Sequence, residues 1–200
     1  MTLVNTQGHD IYEYSEQVHC LIEQGFTSGL ARLVIQHSKS FALRIWIIDN
    51  SGSMNAADGK KLIATKKRTD VRWVTCTRFA ELQECVLYHA QLSALLEAPT
   101  RFTLLNAPSD GLSQDMGVAE LGRDMVDEEI LSLTNTLQKV YPRGVTPLTN
   151  HIHAIYDTIQ GIEASLYHEG KKVVVVVATD GKSYSLYTLH VCEASKLIRF

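Results

Sequence analysis

The sequence predicts an α/β fold with a mostly parallel central sheet flanked by helices, and three observations predict it. Phe41–Ile48 (FALRIWII) and Lys172–Ala178 (KVVVVVA) are short runs apolar on both faces, as strands covered by helices on each side require. Amphipathic helical patterns alternate with such runs along the chain. Each run leads into an aspartate, Asp49 and Asp180, at the carboxyl end of the strand, where open α/β sheets bind ligands.

In chain order, residues 1–14 read as a polar lead-in. Val18, Leu21 and Ile22, then Leu30, Leu33 and Val34, fall at helical spacing on either side of Gly25, so 15–37 reads as two short helices. Residues 1–40 are accordingly expected to form a helical N-terminal extension, and 41–200 the main domain. After the strand at 41–48, Asn50, Gly52 and Gly59 mark a turn. A long helical region is expected from about Lys61 to Glu97, broken near Cys85–Leu87 and closed by Pro99, with Val71, Val74, Phe79, Leu82 and Val86 as core. Arg101–Leu105 reads as a strand and Met116–Ala119 as a weak edge strand. Val126–Val140 reads as a helix whose Asp127, Glu128 and Glu129 suit the positive end of its dipole. Tyr141–Pro147 is a loop held by two prolines and a glycine, followed by a helix over Leu148–Leu166. The strand Lys172–Ala178 is expected to be the most buried of the chain, and Tyr184–Leu197 to form a final helix.

Composition narrows the function. Two hundred residues at 45% hydrophobic suit a single domain with a sizeable core. A net charge of -3 argues against a general nucleic-acid binder. Lys60, Lys61, Lys66, Lys67, Arg68 and Arg72 crowd one segment, read as a solvated helix start in preference to a docking surface for an acidic partner. The four cysteines form no CxxC pair and are expected to be reduced thiols. There is no signal-like start and no apolar run of the roughly 18–20 residues a membrane crossing needs, so the expectation is a soluble, cytoplasmic protein without a membrane partner.

The residues that carry chemistry are Asp49, Ser51 and Ser53, in DNSGSM directly after the first strand, with Thr146 in GVTPLT and Asp180 in ATDG. A carboxylate and two hydroxyls at alternate positions of a tight turn offer a hard cation its preferred oxygens while leaving its charge under-neutralised. Gly52, lacking a Cβ, is expected to relieve crowding between the serines. The rival reading makes the same residues a polar turn capping the next helix.

DNSGSM, GVTPLTNHI and ATDG, in that order and in that strand context over about residues 41–183, resemble the metal-ion-dependent adhesion site of von Willebrand factor A domains. The resemblance implies a Rossmann-like topology of that family. It also implies Mg²⁺, with Mn²⁺ or Ca²⁺ as substitutes, on Ser51 and Ser53 directly and on Asp49 directly or through water. Thr146 and Asp180 would exchange between direct and water-mediated contact, and a Glu or Asp of a protein partner would complete the metal's shell. Such domains normally add strand–helix units after the ATDG strand, so an incomplete C-terminus is expected, with Lys196–Phe200 either starting a strand or standing where those units are missing.

Two other functions remain in view. A metal-independent scaffold would bind partners through its helices. A metal-dependent phosphotransfer enzyme, similar to the haloacid dehalogenase type, needs a second acid two positions after its first aspartate, where this chain has Ser51. No P-loop or Gly-rich dinucleotide turn is present. His151 and His153, two apart on a helix, diverge too far to share an ion and read as structural or solvated. The expectation is a binding module, not an enzyme.

Overall fold

Strand β1 (Phe41–Ile48) is the axis of the molecule, and its last four residues are buried. The computed structural model describes residues 16–64, 71–109, 111–181, 190–193 and 196–199. β1 pairs in parallel with β4 (Thr100–Leu104), from Arg44 opposite Thr100 to Ile48 opposite Leu104. On its other side it pairs in parallel with β6 (Lys172–Ala178), ending with Ile48 opposite Ala178. β5 (Asp115–Val118) adds an antiparallel edge to β4, so the sheet runs β5-β4-β1-β6. The mostly parallel sheet and the edge strand near Met116 thus form as the sequence predicts.

Helices cover the sheet unequally. On one face Trp46, Ile48, Phe102 and Leu104 pack against Phe79 and Val86 of α3 (Arg78–Leu95) and Leu133 and Leu137 of α4 (Val126–Lys139). The opposite face presents Ile45 toward α5 (Leu148–Glu169), with a cavity of about 450 Å³ between them that His151, Ala154 and Ile155 help to line. α1 (16–23) and α2 (Ser28–Ser38) bury Val18, Leu21, Ala31 and Ile35 against Leu92 and Leu95 of α3.

Three expectations are corrected. The long helix from Lys61 is replaced by a β-hairpin, β2 (Gly59–Ala64) and β3 (Val71–Cys76), before α3 begins at Arg78. VRWVTC is rich in β-branched residues and carries a tryptophan, types that favour a pleated surface, and Thr77 then caps α3 by accepting from the Ala80 N–H at 3.1 Å. The valine strand β6 is not the most buried. Only β1 hydrogen-bonds to it within the four-stranded sheet, and its Val175 remains 38% exposed. The final helix expected over Tyr184–Leu197 is absent where the chain is described: β7 (His190–Glu193) and β8 (Lys196–Arg199) pair antiparallel instead. Residues 1–15 and 182–189 lie outside the described residues, and with them the polar lead-in and the start of that helix.

Glu129 exceeds its expected dipole role. Its buried carboxylate accepts the backbone N–H groups of Ala119 (2.8 Å) and Leu121 (3.2 Å), tying the turn after β5 to α4.

Candidate functional site at the carboxyl edge of the sheet

Parallel pairing brings the chain segments after β1 and β6 out side by side. The Asp49 N–H donates to the Ala178 carbonyl at 3.0 Å, and the Leu105 N–H donates to the Ile48 carbonyl at 2.9 Å, so three strand ends meet around Asp49. Asp49 is fully buried. Its Oδ1 accepts the Ser51 N–H at 2.8 Å, and its Oδ2 accepts the Thr179 hydroxyl at 2.6 Å. The first bond closes the turn that presents Ser51 and Ser53, whose hydroxyl oxygens lie 3.1 Å apart. The short 3-10 helix that follows, Gly52–Asn55, takes no side-chain cap from Ser51. Neither serine is spent on capping that helix, while Asp49 does serve the turn as a backbone acceptor.

The loop carrying Thr146 is docked on this turn by its backbone. Arg143 N–H donates to the Asn50 carbonyl (2.8 Å), Gly52 N–H to the Gly144 carbonyl (3.1 Å), and the Asn55 amide to the Pro142 carbonyl (2.8 Å). Asn106, at the end of β4, donates from its side chain to the Val145 carbonyl at 2.8 Å. Thr146 is half-buried at the end of this docked stretch. The glycine that the arrangement requires is Gly144, at φ 81°, where an added Cβ would lie 3.0 Å from Asn106 Oδ1. Gly52 does not relieve crowding between the serines as expected: a Cβ there would meet only the Gly144 carbonyl, at an ordinary 3.6 Å.

Asp180 leaves β6 on the same edge, with its side chain 5% exposed, and its Oδ2 accepts from Arg78 Nη1 at 2.6 Å. Arg78 also donates from Nε and Nη2 to the two oxygens of Asp58, at 2.7 and 2.5 Å. These bonds, to Asp58 first and Asp180 next, push the guanidinium pKa above its ordinary value, so its charge is permanent. Asn50, also buried, reciprocates with Asn106: its amide donates to the Asn106 carbonyl (2.9 Å) and its Oδ1 accepts the Asn106 N–H (2.7 Å).

Four of these contributors were not anticipated. Asn50 and Thr179 adjoin the motif aspartates and had a signal in that adjacency. Asn106 and Arg78 had none, because only the folded sheet brings them to this edge. His151, by contrast, behaves as a structural residue, with Nε2 2.9 Å from the Leu105 carbonyl.

Among the described residues no three His, Cys, Asp or Glu side chains gather as a metal cluster. The edge combines two carboxylates with hydroxyls instead. Comparison with protein-family models, with curated proteins and with solved structures finds no match. What stands is a small α/β domain, mostly parallel and loosely Rossmann-like, with a polar cluster at the carboxyl edge of its sheet. No described helix is long and apolar enough to cross a membrane.

Proposed function

We propose that this chain is a protein-interaction module of the von Willebrand factor A type and not an enzyme. In this reading Asp49, Ser51, Ser53, Thr146 and Asp180 hold a divalent cation, Mg²⁺ before Mn²⁺ or Ca²⁺, that receives a Glu or Asp carboxylate of a partner protein. The observation that carries the reading is the pair of Ser51 and Ser53 hydroxyls, hydrogen-bonded to each other at 3.1 Å, beside the buried Asp49 carboxylate. Octahedral Mg²⁺ binds oxygens at about 2.1 Å, which sets neighbouring ligands about 3.0 Å apart. The serine pair already has the spacing of two adjacent ligands, and the Asp49 turn that orients it is locked by backbone. The bound ion would supply positive charge incompletely neutralised by its hydroxyl ligands, and thereby affinity for an external carboxylate.

Phosphotransfer is the weaker alternative, because Ser51 stands where that chemistry needs a second acid. The free thiols of Cys20, Cys76 and Cys85 suit a reducing, cytoplasmic setting.

A metal-independent scaffold has two observations in its favour: Asp49 and Asp180 are both satisfied by protein donors, and the Ser51 and Ser53 hydroxyls bond to each other. Titration calorimetry separates the two readings. Metal-free protein is expected to take up one Mg²⁺, and Asp49→Ala, with circular dichroism confirming its fold, is expected to take up none. A folded parent chain that binds no Mg²⁺ refutes the metal-dependent reading and leaves the scaffold.

A further inference from the structure

The β2–β3 hairpin carries an apolar face that nothing among the described residues covers. In its antiparallel register Leu62 stands opposite Trp73, Ala64 opposite Val71 and Lys60 opposite Thr75, so these residues share one face. Trp73 is 66% exposed, Val71 65% and Leu62 53%. The other face is fastened to α3. The Lys60 N–H donates to Glu81 at 3.0 Å, Lys61 pairs with Glu84 at 3.6 Å, and Gly59 lies so close to the Thr77 carbonyl that a Cβ would stand 2.8 Å from it. The hairpin is therefore held against α3 as a shelf with its indole exposed. Three large apolar side chains side by side in water mark an interaction surface.

Charge says what kind of partner covers it. Between Gly59 and Cys76 the sequence has six Lys and Arg residues against one Asp, in a chain whose net charge is -3. Of the described ones Lys60 lies on the apolar face and Lys61 and Arg72 on the other, while Lys66, Lys67 and Arg68 lie outside the described residues. Position ties the shelf to the polar edge. β2 starts one residue after Asp58, and Asp58 shares the Arg78 guanidinium with Asp180. The geometry points to the outer face of this hairpin, Leu62, Val71 and Trp73 with Lys60 beside them, as the docking surface for an acidic protein segment bearing a large apolar side chain. The inference rests on the proposed metal-dependent reading: the segment's carboxylate would reach the cation while its apolar side chain covers Trp73. A single indole flanked by aliphatic residues suits insertion of a peptide side chain, and Trp is enriched among the residues that dominate binding energy at protein interfaces. Nucleic acid is disfavoured by the net negative charge of the chain.

The test is to pan a displayed random dodecapeptide library on the intact protein in Mg²⁺. Enriched peptides are expected to combine acidic residues with a Leu, Ile or Phe. Of the two tryptophans, Trp46 is buried, so a selected peptide lacking Trp is expected to shift the emission of Trp73 to the blue. Trp73→Ser and Leu62→Ser, each folded by circular dichroism, are expected to weaken that peptide on the order of tenfold. Failure to enrich, enrichment of basic or uncharged peptides, or equal binding by Trp73→Ser each overturns the surface. An emission shift caused by oligo(U) or by anionic phosphatidylserine vesicles, with no shift from acidic peptides, overturns it in favour of RNA or lipid. Repeating the titration with chelator and with Asp49→Ala keeps the two proposals apart. Binding that needs Asp49 but ignores Trp73 refutes the shelf alone. Binding that needs Trp73 but ignores chelator and Asp49 establishes the shelf and refutes its link to the metal.

Discussion

Arg78 shows how one residue can set the charge of a site from outside its motif. It sits in the first turn of α3, where the helix dipole disfavours a cation, and is held there by Asp58 and Asp180. Its guanidinium satisfies the carboxylate that the proposed metal would share. A permanent cation on Asp180 competes with a divalent ion for the same oxygens. Arg78→Ala is therefore expected to bind Mg²⁺ several-fold more tightly than the parent, and Asp58→Asn, which loosens only the other anchor, to change affinity less. Calorimetry of the two variants beside the parent checks this, and a weaker Mg²⁺ affinity in Arg78→Ala would show the arginine supporting the site instead of competing for it.

At the scale of elements, the site depends on a loop that has no strand or helix of its own. The segment from Tyr141 to Pro147 is seated by backbone bonds from Arg143 and to Gly144, and by side-chain bonds from Asn55 and Asn106. Gly144 occupies the left-handed region, so Gly144→Ala adds backbone strain of roughly 1–2 kcal/mol and crowds Asn106. The expected outcome is a stability loss of that order by urea denaturation and, because the Thr146 segment shifts, weaker Mg²⁺ binding. Gly52→Ala, whose Cβ would meet only an ordinary contact, is the comparison and is expected to lose less.

The hairpin teaches the same lesson about elements. Val71, Val74, Phe79, Leu82 and Val86 satisfy a helical period, but only the last three lie on a helix. Residues three or four apart recur in any apolar-rich stretch. The β-branched and aromatic content of VRWVTC and the capping potential of Thr77 were the stronger local signals. The cost of missing them was to read a basic strand pair as a solvated helix start.

For the molecule as a whole, the main core lies on the face of the sheet under α3 and α4, and pH reaches that core through His89. Its ring lies 4.7 Å from the Trp46 ring and 5.5 Å from the Tyr88 ring, and burial lowers its pKa below the ordinary histidine value. The unfolded chain then binds a proton at higher pH than the folded one. Above the unfolded pKa, about 6.5, His89 contributes no pH dependence. As pH falls below it, the proton favours the unfolded state and stability declines until the folded pKa is passed. The melting temperature is expected to fall between pH 7 and pH 5, and His89→Phe to flatten this histidine's share of the slope.

What the sequence by itself determined are the features written in consecutive residues. The apolar runs of β1 and β6 specify strands, their alternation with amphipathic helices specifies a mostly parallel sheet, and Asp49 and Asp180 follow those strands by simple adjacency. Parallel pairing then places both at one edge, so much of the candidate site was legible before the fold was known. Tertiary structure alone decided the rest. That Thr179 hydrogen-bonds to Asp49, that Arg78 occupies Asp180, and that Asn50 and Asn106 lock two loops together are pairings between residues up to 130 positions apart. The half-exposed state of the valine strand likewise depends on what stands beside β6, which its own composition does not encode. Local preference is a property of neighbours in the chain, whereas burial and hydrogen-bond partnership belong to neighbours in space.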